Sequence, residues 1–457
     1  MTAPASSDDL RSERHAMLHR YDGRAPRYTS YPTAAQFTGE VGPATYARWL
    51  GALDHNELVS LYVHLPFCAR LCWYCGCNTR VVRRGESISD YVRLLGVELD
   101  RVVAHLPGRL RASAIHLGGG TPNVTSTDDL AMLFGFLRRV FEVPASAEIA
   151  AELDPLHLTA RWAAAAAGHG LTRASLGVQD LSPAVQAAVN RVEPFDVVAR
   201  AFGLLRDVGV EAINVDLMYG LPRQRTADVL HTIDQVVTLR PQRIALFGYA
   251  HVPWMKPHQG LINTAELAGP EERLDQSQAA AERLAAAGYR PVGLDHFALP
   301  DDPLATDRAH RNFQGYTTDA ARTLLGFGAS AIGRLPQGYI QNQTSELDWR
   351  RAIGSGTLAT AKGVAFTDDN RLRGEIIERL MCDFEVDLDA VCAQHGRDKS
   401  ELEPALSRCG QFIVDGVIAI ERGRLKVTQT GRPFVRSVCM AFDAYANPDA
   451  LIHSLAV

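Results

Sequence analysis

Four thiols fall within ten consecutive positions of the chain, at Cys68, Cys72, Cys75 and Cys77. Thiolates spaced four and then three residues apart in one loop can converge on one face of an iron-sulfur cube and leave one iron without a protein ligand. That open iron can take another molecule. Zinc is the alternative, although a structural zinc takes four ligands commonly paired with two residues between them, and only Gly76 separates Cys75 from Cys77. A disulfide framework is the third reading, and it belongs to exported chains. Here Met1, Thr2 and Ala3 lead on to Asp8, Asp9, Arg11 and Glu13 without the apolar core of a signal peptide. Cys382, Cys392, Cys409 and Cys439 are scattered through the last part of the chain and read as buried core thiols.

Such a loop needs a scaffold, and 457 residues suffice for about three domains or for one large barrel with additions. Hydrophobic residues at 46% and charged residues at 22% exclude disorder as the main state. The net charge of −5 gives no bulk attraction to nucleic acid or to anionic membranes. No run of about 18 apolar residues is present, so a membrane span is not expected, and the expected compartment is the reducing cytoplasm.

Six short apolar or β-branched runs alternate with helical patterns: 59–65, 114–117, 148–153, 173–178, 212–217 and 243–249. Between the first two, Ile88, Tyr91, Leu95, Leu99, Val102 and Leu106 share one helix face. Between the second and third, Thr127 is the expected N-cap of a helix burying Leu130, Leu133, Phe134, Leu137 and Phe141. Repetition of this unit implies a parallel sheet wholly or partly closed into a βα barrel. The segment from Pro26 to Pro32 reads as an irregular aromatic strap, while helices and a hairpin at 417–420 and 425–428 suggest a winged-helix-like end domain. That shape often binds DNA, but the acidic balance argues for packing instead.

The C-x3-C-x2-C run at the end of a first barrel strand resembles the radical S-adenosylmethionine superfamily. Further words narrow the match: the run 62–68 (YVHLPFC), the extra Cys77, GGGTP at 118–122, GVQD at 177–180, YGLP at 219–222 and HRNFQGYTT at 310–318. Together, from Tyr21 to about Tyr445, they resemble the oxygen-independent coproporphyrinogen III oxidases. The fold expected is α/β, a partial (β/α)6 radical SAM barrel over residues 51–355. An N-terminal strap over the active site (1–50) precedes it, and a mainly helical, winged-helix-like domain with a β-hairpin (356–457) follows.

The resemblance implies that Cys68, Cys72 and Cys75 hold a [4Fe-4S] cluster that binds S-adenosylmethionine, and that Cys77 is not a ligand. It implies a 5′-deoxyadenosyl radical that starts the decarboxylation of two propionates of coproporphyrinogen III, giving protoporphyrinogen IX for haem biosynthesis. By the same match Tyr62, Gly119, Glu152 and Ile332 surround one S-adenosylmethionine, and Tyr74, Gly120, Thr121, Gln179, Arg191, Asp216 and Ala250 a second. Tyr62, His64 and Cys77 are the catalytic candidates; for His64 the plain alternative is a satisfied core histidine. Arg27 and Arg311 are candidate partners of the propionates by charge. The remaining expectations are an unidentified reducing protein and electron acceptor, no nucleic acid, and a monomer. A haem-binding or haem-transfer protein on the same scaffold is the alternative function. Cys77 and the strap favour the enzyme, since the haem-carrying relatives generally lack both.

The independent check on this reading is position. Gly118 to Thr121, Glu152, Gln179, Asp216 and Ala250 each fall at or just beyond the carboxyl end of a different expected strand, where barrel sites are built.

Overall fold

The computed structural model describes residues 7–82 and 85–446, so Met1, Thr2, Ala3 and the last residues of the end domain lie outside it. All six expected strands form: β1 (Leu58–Leu65), β2 (Arg111–Gly119), β3 (Glu148–Leu153), β4 (Arg173–Gln179), β5 (Ala212–Tyr219) and β6 (Arg243–Gly248). They lie side by side in chain order, each parallel to the next. Strand alternation decides what each face carries. Along β1, Val59, Leu61, Val63 and Leu65 join the main core, leaving Ser60, Tyr62 and His64 on the opposite face.

Helices α1 (Glu86–Val103) and α2 (Thr127–Val140) link β1 to β2 and β2 to β3. Ile88, Tyr91, Leu95, Leu99 and Val102 of α1 are buried, as are Leu130, Leu133, Phe134 and Leu137 of α2. The N-cap of α2 is Ser126 rather than Thr127: its hydroxyl accepts from Asp129 N at 3.0 Å, and Thr127 is the first helical residue. Three hydroxyl residues in succession, Thr125, Ser126 and Thr127, left the cap ambiguous in the sequence.

The sheet is wider than expected. A seventh parallel strand, β7 (Thr323–Phe327), pairs with the outer edge of β1. Antiparallel strands Ile332–Leu335, Gly338–Asn342 and Thr360–Ala365 continue beyond it, and His296–Ala298 and Arg290–Val292 extend the other edge. The result is an open sheet of twelve strands, a barrel only in part.

A second core gathers Leu372, Ile376, Leu380, Phe434, Val438 and Phe442 of the end domain with Leu18, Tyr21, Tyr28 and Tyr31 from the N-terminal segment. The strap is therefore packed into the end domain, and Tyr28 Oη donates to Asp443 at 3.0 Å. The expected hairpin forms as Ile418–Glu421 and Arg424–Val427, with Glu385–Asp387 added as a third strand. The four scattered cysteines are buried free thiols, as expected. Among the described residues no helix is long and apolar enough to cross a membrane.

One side chain ties the end of β1 to the turn after β7. Tyr91 Oη donates to His64 O at 2.9 Å and accepts from Ala329 N at 2.8 Å, fully buried. Replacing Tyr91 by Phe strands both backbone groups and is expected to lower stability by about 2 kcal/mol. Urea denaturation checks this; an unchanged midpoint contradicts the role given to the hydroxyl.

Candidate active site

The cysteine loop leaves the carboxyl end of β1 and is held by backbone hydrogen bonds before any metal is considered. Arg80 N donates to Pro66 O at 2.7 Å and Val82 N to Cys68 O at 3.1 Å, closing the loop at its base. The segment after β4 grips one side: Trp73 N donates to Val189 O at 3.0 Å, and Asn190 Nδ2 to Leu71 O at 2.8 Å. The segment after β6 grips the other, where His258 Nε2 donates to Cys75 O at 2.7 Å, Gln259 Nε2 to Tyr74 O at 2.9 Å and Lys256 Nζ to Cys77 O at 2.9 Å.

The glycine run meets the protein's own atoms. Gly120 N donates to Leu65 O at 2.9 Å and Thr121 N to Phe67 O at 2.7 Å, so a Cβ on Gly120 would stand 2.5 Å from Phe67 O. Gly119, at φ +106°, faces the ring of His64 with no space for a side chain. These glycines bring the β2 turn against the cysteine loop.

On the strand face opposite the main core, neighbouring strands place Tyr62, His116 and Glu152 in a row. The rings of Tyr62 and His116 stack with centroids 5.9 Å apart. His116 Nε2 donates to Glu152 Oε1 at 3.0 Å, and Gly119 N donates to Glu152 Oε2 at 3.1 Å. Burial alone would raise the Glu152 carboxyl, but the His116 and Gly119 hydrogen bonds hold it below its ordinary value. It is the anionic acceptor of the site.

His64 is buried, with both ring nitrogens engaged: Nε2 lies 2.9 Å from Asn78 O and Nδ1 lies 3.0 Å from Tyr62 Oη. A carbonyl only accepts, so the proton is on Nε2 and Tyr62 donates to Nδ1. Burial lowers the pKa of this imidazole and holds it neutral. That is the arrangement of a satisfied core histidine which fixes Tyr62 and the backbone next to Cys77.

Gln179 ends β4 in the left-handed region, at φ +69°, where the ladder to β5 slips by one residue. Such a bulge re-aims a side chain at the end of a strand. On β5, Asp216 accepts from Ser175 Oγ at 3.3 Å. Burial first, and then the charge of Glu152, push its carboxyl up to about 7. Arg191 joins the cysteine loop from the segment after β4: its Nη1 donates to Cys72 Sγ at 3.4 Å and lies 3.5 Å from Asp154, and Nη2 lies 3.2 Å from Glu193. The Arg191 guanidinium thus already holds two of the chain's own carboxylates, leaving Nε buried without a partner. Ala250 follows β6, and Ile332 stands two strands from β1, beyond β7.

The donor set suits an iron-sulfur cluster. Cys68, Cys72 and Cys75 are free thiols of one loop, and hydrogen bonds reach their sulfurs, among them Thr121 Oγ1 to Cys68 at 3.6 Å and Arg191 to Cys72. Among the described residues no three His, Cys, Asp or Glu side chains gather as tightly as a single metal ion demands. The hydrogen bond from Cys77, against burial, draws the Cys75 thiol down to about 6, while burial lifts Cys68 to about 11.

His116, Ser175, Lys256, His258 and Gln259 escaped the sequence reading. His116 carried a signal, since it alternates with the buried Ile115 and Leu117 along β2 and so faces the same side as Tyr62. The grip of residues 256–259 on the cysteine loop is long-range and left none. For Asp216, a carboxyl raised to about 7 in the fold removes stability as pH rises from about 5 to 8, because the unfolded chain releases its proton near 3.8. Asp216→Asn is therefore expected to lose about 2 to 3 kcal/mol less stability than the wild type across that interval. Parallel slopes in thermal melts at several pH values contradict the assignment.

Comparison with known proteins agrees with this geometry. Residues 62–236 match the family model of the radical SAM superfamily and 366–434 that of the HemN C-terminal domain. The oxygen-independent coproporphyrinogen III oxidase of Bradyrhizobium diazoefficiens is 48% identical, over 95% of this chain and 97% of that protein. That of Paracoccus denitrificans is 39% identical, over 97% of this chain and 100% of its own length. The solved structure of coproporphyrinogen III oxidase (HemN) from Escherichia coli, described as a radical SAM enzyme, superposes with a TM-score of 0.89 at 34% identity, covering 94% of this chain and 99% of that one. At this level of identity and coverage, the chain belongs to the oxygen-independent coproporphyrinogen III oxidases of the radical SAM superfamily.

Proposed function

We propose that this chain converts coproporphyrinogen III to protoporphyrinogen IX without oxygen. Each of two propionate arms loses one hydrogen atom, one electron and CO2 and becomes a vinyl group. The observation that carries the reading is the three-thiol loop, gripped from two sides at the end of β1 and set against the glycine turn and Glu152. A [4Fe-4S] cluster held by Cys68, Cys72 and Cys75, together with S-adenosylmethionine, supplies hydrogen-abstracting radical chemistry when bound.

The chain's residues then divide the remaining work. Glu152, held as an anion by His116 and Gly119 N, accepts hydrogen bonds from a cationic or hydroxylated ligand. Tyr62, Gly119 and Ile332 complete the surroundings of the cofactor on the cluster. Tyr74, Gly120, Thr121, Gln179, Arg191, Asp216 and Ala250 form a second cofactor site, one molecule for each decarboxylation. His64 acts as a positioning residue: it orients Tyr62 and secures Asn78 O beside Cys77. Cys77 serves turnover rather than metal binding. Residues 1–50 are assigned as the strap, 51–355 as the barrel that carries the chemistry and 356–457 as the end domain. In this reading the enzyme works as a cytoplasmic monomer, drawing electrons from a reducing protein and passing those of the substrate to a separate acceptor.

Anaerobically reconstituted protein is expected to release protoporphyrinogen IX from coproporphyrinogen III with S-adenosylmethionine consumed. A full cluster with no vinyl product sinks the assignment. Cys68→Ala, Cys72→Ala and Cys75→Ala are each expected to lose the cluster, whereas Cys77→Ala keeps its iron and loses most turnover. Iron and sulfide analysis decides; full iron content in any of the first three refutes the ligand set.

A further inference from the structure

Beyond the strand-end site, on the far side of β6, lies a cavity of about 90 Å³ with an unusual charge. Its wall contains four guanidinium groups, from Arg27, Arg273, Arg311 and Arg436, against a single carboxylate, Asp295. These arginines come from four distant parts of the chain. Arg27 belongs to the strap and Arg273 to the helix Pro270–Ala286, while Arg311 lies on the short strand His310–Asn312 and Arg436 on the helix Val435–Phe442.

Most of the cluster is tied to backbone. Arg27 Nη2 donates to Gly248 O at 2.8 Å, Arg273 Nη1 to Tyr249 O at 2.8 Å, and Arg436 Nε to Pro26 O at 2.9 Å. Arg311 differs. Its side chain is 6% exposed and lies 4.3 Å over the ring of Tyr316, yet Nε and Nη1 have no hydrogen-bond partner. Its nearest anion, Asp295 Oδ1, stands 3.7 Å from Nη1 and is already bonded to His296 Nδ1 at 2.8 Å. Arg436 carries the cost of this crowding, since burial first, then Arg27, with Arg311 also contributing, lowers its pKa to about 9. Buried like charges and unsatisfied guanidinium N–H groups are costly, and a guest anion relieves that cost.

The geometry points to this cavity as the site that receives a propionate carboxylate of the porphyrinogen substrate, with Arg311 as its principal donor and Arg27 at the mouth. The inference rests on the substrate proposed above and deepens it. Three features select the guest. Planar guanidinium groups match a carboxylate. The volume is far below the about 300 to 1,000 Å³ of a whole-ligand pocket, so it admits an arm while the macrocycle stays outside. Gly248 and Tyr249, whose carbonyls hold Arg27 and Arg273, immediately precede Ala250 of the proposed second cofactor site. A carboxylate anchored here holds the rest of the substrate next to the strand ends. Because Arg27 comes from the strap and already donates to Gly248 O, one guest would be held by strap and barrel together.

The test compares binding of coproporphyrin III, the oxidised and fluorescent tetra-acid, with that of its tetramethyl ester, by fluorescence titration of the reconstituted protein. The wild type is expected to bind the acid at least about 10-fold more tightly than the ester, and Arg311→Gln to weaken acid binding about 10- to 100-fold while leaving the ester unchanged. Arg27→Gln, at an exposed position, is expected to shift in the same direction and carries the test if Arg311→Gln does not fold. Titration with S-adenosylmethionine alone separates the other carboxylate source, and its affinity is expected to be the same in both variants. Equal binding of acid and ester by the wild type overturns the inference, as does acid-ester discrimination that survives both substitutions, or a loss confined to S-adenosylmethionine. Product analysis of the wild type runs alongside: vinyl product without discrimination removes the propionate site alone, whereas discrimination without vinyl product removes the proposed reaction alone.

Discussion

A loop proposed to present three thiols to a metal cluster cannot be free to collapse on itself, and this constraint shapes the structure. The loop is closed at its base by Arg80 and Val82 against Pro66 and Cys68, then clamped by residues 189–190 after β4 and 256–259 after β6. Each clamp ends on a backbone carbonyl or amide, so the main chain around the thiols is fixed without using the sulfurs. Parallel strands in chain order make this possible. They bring the segments after β4 and β6 to the same end of the sheet as the end of β1.

The same end of the sheet is electrically divided. Around β2 to β5 the strand ends carry carboxylates, Glu152 held below its ordinary pKa by its donors and Asp216 raised to about 7 by burial and by its neighbour. Beyond β6 the charge reverses, with four arginines around one aspartate. A cationic cofactor and a polyanionic substrate would be sorted by this contrast before either reaches its final contacts. The strap joins the arginine region to the end domain: Tyr28 and Tyr31 anchor in the second core while Arg27 reaches the barrel at Gly248.

Much of this could be read from the chain because it is local. The six parallel strands follow from short apolar runs, the helices from apolar spacing, and the metal loop from cysteine spacing inside one turn. β7 was missed because Thr323–Phe327 is a buried run in a stretch of short strands with no helix pattern before it. Its place beside β1 depends on a pairing 264 residues away, Val59 with Thr323. Arg27 and Arg311 could be singled out by charge alone, but Arg273 and Arg436 sit in helices with ordinary amphipathic patterns. Only the fold brings the four together. Gly119 and Gly120 were legible as a tight turn, whereas what they make room for, His64 and the Phe67 backbone, is tertiary.

The central claim is that three thiols hold a cluster with one iron open to S-adenosylmethionine. Electron paramagnetic resonance of the anaerobically reduced protein, recorded before and after adding S-adenosylmethionine, tests it most directly. A reduced [4Fe-4S] signal whose shape changes on addition is the expected result. A cluster signal indifferent to S-adenosylmethionine, or a reconstituted protein that carries zinc in place of iron, contradicts the account.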